Sequence, residues 1–156
     1  MGGTGHDLEQ ALAQFLQRRN SAQFHDELLA RAPEGVDRYN YPVLAGLWRV
    51  GPSTAARLAV EVGLDRSRVS RHAERFESIG LLRREADPKD ARGTLLILTA
   101  NGHEAIDAMR SGVARYLDGI TRDWPEGLAE SLIDGLNRLT AKGGDDTQDQ
   151  VPGSLA

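Results

Sequence analysis

Between Ser53 and Thr99 the hydrophobic period of the chain changes, and that change restricts the fold more than any other feature. Ala55, Leu58, Ala59 and Val62 recur at three- and four-residue steps, and Gly63-Leu64-Asp65 then interrupts them. Helical spacing resumes from about Arg66 to Ile79 and ends at Gly80, so the segment reads as two helices joined by a Gly-containing turn, a helix-turn-helix. Beyond Gly80 the pattern becomes β-prone in Leu81–Ala86 and Thr94–Leu98, separated by the polar Asp87-Pro88-Lys89-Asp90-Ala91-Arg92-Gly93. That is a hairpin with a partly basic tip.

At ~100° per residue, Arg68, Arg71, His72 and Arg75 fall on one strip of the second helix. Val69, Ala73, Phe76 and Gly80 fall on the adjacent one, with Glu74 and Glu77 on the far side. A basic strip beside an apolar seam suits a helix packed on one flank and laid in a DNA major groove on the other, where an arginine can donate two hydrogen bonds to guanine. Arg68, Arg71 and His72, near the start of the helix, are the expected base contacts, with Ser67 a marginal one. His72 lies on the border of the two strips, where packing is the competing role. Arg66 and Arg75 are expected to hold phosphates, together with Ser53 and Thr54, one of which caps the first helix after the Gly51-Pro52 break. At the hairpin Arg92 is expected to enter the minor groove with Asp90 steadying its guanidinium, and Lys89 to touch a phosphate.

Charge is placed to match. Residues 53–93 carry nine basic against seven acidic side chains, whereas the rest of the chain carries 10 against 16 within a total of −4. An acidic protein thus concentrates its positive surface in one unit, and local placement matters more than net charge for binding nucleic acid.

Around this unit the apolar residues keep helical spacing. Leu8, Ala11, Leu12, Phe15, Ala22, Leu28 and Leu29 predict one helix from Asp7 to about Ala32, stopped by Pro33-Glu34-Gly35. A shorter helix is expected from Asn40 to Gly51, with Pro42 in its first turn, where a missing N–H costs nothing. Thr99 opens a long helix, and Asp123 with Glu126 reads as a capping box for a last one carrying Leu128, Leu132, Ile133, Leu136 and Leu139. The fold class is therefore mainly α with a small β-hairpin wing. The expected divisions are an N-terminal dimerisation helix over 1–38, a winged helix-turn-helix over 39–99, C-terminal dimerisation helices over 100–141 and a disordered tail over 142–156. Stripes on the terminal helices exceed what a small winged helix can cover, which predicts a homodimer.

Other classes lose their chemistry. With no cysteine, disulfides, thiolate–zinc sites and thiol nucleophiles are excluded. His6, His25, His72 and His103 are scattered without an HExxH pattern, so no metal is expected. No Walker loop, GxSxG or strand-led GxGxxG occurs, so neither an enzyme nor a cofactor is expected. The start MGGTGHD lacks the basic and apolar regions of a signal peptide, its sixth residue His6 does not suit myristoylation, and no apolar run approaches the roughly 18 residues of a membrane span. The expected location is cytoplasmic, with no membrane partner.

The run LAVEVGLDRSRVSRHAERFESIGLLRREADPKDARGTLLILTANG, above all DPKDARGTLLILTANG with its acid, arginine and Leu-Thr-x-x-Gly, resembles the signature region of the MarR family of winged-helix transcription regulators. The similarity extends over about Tyr39 to Gly102. It implies a homodimeric regulator, in the main a repressor, whose terminal helices interlock and whose two winged helices dock on a pseudo-palindromic double-stranded operator. Arg68, Arg71 and Arg92 match positions where that family commonly contacts DNA, while His72 departs from the aliphatic or small residue often found at its place. The resemblance further implies a small aromatic or anionic effector, with Tyr39, Tyr41 and Trp48, and His25 or Phe24 beside them, as candidate lining. The alternative is a winged helix that binds protein, which would not need the basic strip.

Overall fold

The computed structural model describes residues 3–145. Their elements run α1 (Thr4–Phe15), α2 (Arg18–Leu29), α3 (Tyr41–Val50), β1 (Ser53–Thr54), α4 (Ala55–Val62), α5 (Arg66–Ser78), β2 (Leu82–Asp87), β3 (Asp90–Leu98), α6 (Ala100–Thr121) and α7 (Leu128–Asp145). The chain divides into two compact units between Tyr116 and Leu117, inside α6.

In the first unit the core is built by one face of each element of the winged helix. Val43, Leu44 and Leu47 of α3, Leu58 and Ala59 of α4, Val69, Ala73 and Phe76 of α5, and Leu82, Leu96 and Leu98 of the sheet are buried together with Ile106 of α6. The buried residues of α5 are those of the apolar strip read from its spacing. A second cluster joins α2 to α6 through Leu28, Met109 and Val113, and Val36 and Tyr41 pack against both clusters.

The sheet is three-stranded and antiparallel in the order β1-β3-β2. Ser53 pairs with Leu96, and Arg84 pairs with Leu96 from the other side. The two-residue β1 carries no periodic signal, and its existence was not legible in the sequence. The hairpin is also tighter than expected. β3 begins at Asp90, which pairs with Asp87 across the turn, and a register shift between Ala86 and Asp87 separates that pair from the regular ladder that starts at Ala86 and Thr94. Arg92 therefore stands within a strand instead of on a loop.

Three further expectations are corrected. The first predicted helix is two, because Gln17 leaves the helical conformation at ψ 145°. No apolar residue occurs from Gln17 to Ser21 to anchor a continuous helix. In the second unit Asp123 and Glu126 do not form a capping box: Gly127 sits at φ +80°, and α7 starts only at Leu128. That helix runs through Lys142 to Asp145, so those residues are not a tail, while 146–156 lie outside the described residues. Among the described residues no helix is long and apolar enough to cross a membrane, and no three His, Asp or Glu are grouped to hold a metal ion.

Candidate nucleic-acid interface

The start of α5 is organised by Asp65. Its Oδ1 accepts the Arg68 backbone N–H at 2.8 Å and the Ser67 hydroxyl at 2.5 Å, and its Oδ2 lies 3.2 Å from Arg68 Nε. The Ser67 hydrogen bond, then the Arg68 amide, hold the Asp65 carboxyl below its ordinary pKa. An N-cap of this kind fixes where the helix begins, and hence which residues face outward.

The expected DNA-contacting residues divide accordingly. Arg71 is exposed and has neither ion pair nor side-chain hydrogen bond among the described residues, so its guanidinium is free for a base edge. Arg68 is exposed but drawn to Asp65, and Ser67 turns its hydroxyl to the same carboxylate. His72 is half-buried, in keeping with its place between the two strips. Arg75 is exposed, and its Nε–H donates to the Gly35 carbonyl at 2.9 Å, which ties α5 to the loop before α3. That carbonyl also accepts the side-chain amide of the buried Asn40, so one donor of the exposed Arg75 joins an internal network while its terminal amino groups stay unbonded among the described residues. Ser53 is 1% exposed, and its hydroxyl donates to the Gly51 carbonyl, which removes it from the phosphate contacts. Thr54 is the cap of α4, accepting from the Arg57 amide at 3.3 Å.

On the wing, Asp87 accepts from the Lys89 amide at 2.9 Å and Asp90 from the Arg92 amide at 3.0 Å. Asp90 thus steadies the backbone of Arg92 and makes no ion pair with its guanidinium, contrary to expectation. Lys89 is exposed at the turn.

Strand alternation decides which wing residues face the helices. Thr94 shares the inner face with the buried Leu96 and Leu98, Arg84 shares it with Leu82, and Arg92, beyond the register shift, lines the same groove. Arg83 and Glu85 pair with each other on the outer face. The inner face and the starts of α4 and α5 bound an open groove of about 310 Å³, lined among others by Thr54, Arg66, Ser70, Arg84, Arg92 and Thr94 and by no acid. Arg66, Arg92 and Thr54 were expected in the interface; Arg84, Ser70 and Thr94 were not. The signal for Arg84 was its even spacing from Leu82, which becomes informative only once the register is known.

The aromatic candidates do not form one site. Arg110 stacks over Trp48 with its guanidinium carbon 3.8 Å from the ring centre. Burial pushes the Tyr41 phenol above its ordinary pKa, with Arg110 and Arg49 pulling it the other way. Trp48 and Tyr41 thus share one cation, while Arg49 is paired with Glu61 at 2.7 Å. Tyr39 stands apart, 65% exposed, with Arg38 over its ring. Phe24 packs against the α2–α6 cluster, edge-on to His25.

Comparison with known proteins agrees with this geometry. The sequence model of the MarR family matches residues 34–93, which hold α3, the helix-turn-helix and most of the wing. The HTH-type transcriptional regulator YdgJ of Bacillus subtilis is 28% identical over 67% of this chain, and the match spans 64% of that protein's length. A MarR family protein from Bacillus stearothermophilus shares the fold with a TM-score of 0.77 at 20% identity, covering 90% of this chain and 96% of that one. The PcaV transcriptional regulator from Streptomyces coelicolor, solved in complex with its natural ligand, matches with a TM-score of 0.59 at 25% identity, covering 81% and 89%. The winged-helix region of the chain, residues 34–93, is thus similar to the MarR family of transcriptional regulators, and its fold is that of a solved MarR family protein.

Proposed function

We propose that the chain is a sequence-specific repressor that binds a pseudo-palindromic operator as a homodimer, with α5 in the major groove and the wing at the adjacent minor groove. The observation that carries this reading is the acid-free basic groove between α5 and the wing, beside an unpaired, exposed Arg71. Arg71 and Arg68 read bases, Arg92 probes the minor groove, and Lys89 and Arg66 hold phosphates. Exposed apolar residues on α1 (Leu8, Phe15) and on α7 (Leu132, Ile133, Leu136) support a dimer. Two-fold symmetry would place the two α5 helices about one turn of DNA apart, roughly 34–36 Å.

Release follows from a small aromatic or anionic ligand taken up near Trp48, Tyr41 and Arg110, where a ring can stack and a cation can meet a carboxylate. It can act only by binding the DNA-incompetent conformation more tightly. That PcaV was solved with its natural ligand supports looking for one here.

Selection of bound duplexes from random DNA with the purified protein tests the reading. The expected product is a palindrome bound with an affinity that falls steeply with salt, since phosphate contacts release counterions. Arg71→Ala should cost ~1–3 kcal/mol and relax preference at one base pair, whereas Lys89→Ala should weaken every sequence alike. A selection that enriches nothing, with salt-insensitive binding, would return the chain to the protein-binding alternative.

A further inference from the structure

In a duplex, the sugar–phosphate backbone is what separates the major from the minor groove. A module with one element in each must straddle a single strand, and the strand must run through the space between them. Here that space is the groove bounded by the starts of α4 and α5 and by the inner face of the wing. Three cations from three separate elements face it: Arg66 opens α5, Arg84 lies in β2 and Arg92 in β3. Their chain order would not suggest a cluster. It arises because β2 and β3 are paired so that Arg84 lies opposite Leu96 and lines the same groove as Arg92. The hydroxyls of Ser70 and Thr94 add neutral donors, and no carboxylate lines the groove.

From this we infer that the groove is a seat for one backbone phosphodiester of the DNA strand between α5 and the wing, and that Arg84 is its central ligand. The inference rests on the DNA-binding reading above and adds to it a contact from the middle of the wing, on its inner face. Arg84 is suited to the role by the bond it already makes. Its Nε–H donates to Glu77 Oε2 of α5 at 3.0 Å, which anchors the guanidinium with one of its five donors and leaves the terminal amino groups unbonded among the described residues. Glu77 is absent from the groove lining, and its contact with Arg84 is through Nε. An anchored fork loses less freedom on binding an anion than a mobile lysine would.

The test uses the full-length protein, the selected duplex and a random duplex of equal length. Arg84→Gln should weaken both by a similar factor, about five- to tenfold, and reduce the salt slope by about one. Arg83→Gln, one residue away on the outer face and paired with Glu85, should leave both affinities within about twofold, as for an exposed ion pair. Duplexes in which single phosphates are replaced in turn by uncharged methylphosphonates should contain one position per half-site whose replacement weakens the wild type and no longer affects Arg84→Gln. If the wild type binds no DNA, the function proposed above fails. If it binds and Arg84→Gln behaves like Arg83→Gln, or no single phosphate is coupled to Arg84, the seat is overturned and the DNA-binding reading stands.

Discussion

At the scale of single residues, the Leu-Thr-x-x-Gly run that ends the wing has a mechanical explanation. The Leu81 carbonyl accepts the Thr99 amide at 3.0 Å, and the Thr99 hydroxyl donates to the Gly80 carbonyl at 2.6 Å while accepting the Gly102 amide at 3.1 Å. A side chain at Gly102 would collide with the Leu81 carbonyl, a backbone atom that cannot swing aside. The motif is the joint between the α5–β2 corner and α6, and glycine is there for close approach, not for an unusual φ. Gly102→Ala should therefore cost about 2–3 kcal/mol, read as a lower urea midpoint; an unchanged midpoint would mean that the joint yields freely. The sequence showed this glycine only as part of a family resemblance, since what it touches lies about twenty positions upstream.

At the scale of elements, α5 shows how a cap sets an interface. Asp65 read as a turn residue in the sequence, and in the fold it holds the Ser67 hydroxyl, the Arg68 amide and the Arg68 guanidinium. Its folded pKa is lowered, so its contribution is complete above the ordinary value of 3.8 and disappears as pH falls through the depressed folded value. Above neutrality, changing pH leaves that contribution intact. Asp65→Ala should lower the melting temperature at pH 7, while Asp65→Asn, which keeps an acceptor, should lower it less. The gap between wild type and Asp65→Asn should close in strong acid, and a gap persisting well below pH 3.8 would assign the stabilisation to another group. Helix limits were legible here, because Gly63, Asp65 and Gly80 act on their immediate neighbours. The strand β1 and the true start of β3 were not, because each exists only through the strand it pairs with.

At the scale of the whole molecule, the apolar stripe of α7 belongs to the proposed dimer. Leu132 and Leu136 are 47% and 46% exposed and lie one turn apart on that helix. Burying such residues contributes ~1.5–3 kcal/mol each, so placing two carboxylates there should be decisive. Leu132→Asp with Leu136→Asp is expected to sediment as a monomer and to lose tight binding to the palindrome while keeping weak, salt-sensitive binding to a half-site. A double variant that remains dimeric would move the interface to α1 or another surface.

By itself the sequence determined the order of the elements from α3 to α6, the helix-turn-helix, the division of α5 into an apolar and a basic strip, and the concentration of positive charge in that unit. These follow from periodicity, caps and breakers, which act over a few residues. Only the tertiary structure decided which of the basic and hydroxyl side chains remain available. It left Arg71 without a partner among the described residues, tied Arg75 Nε to the Gly35 carbonyl, buried Ser53 within strand β1, and brought Arg84 beside Arg66 and Arg92. A side chain's partners are set by strand register and by contacts up to forty residues away. No local pattern encodes them.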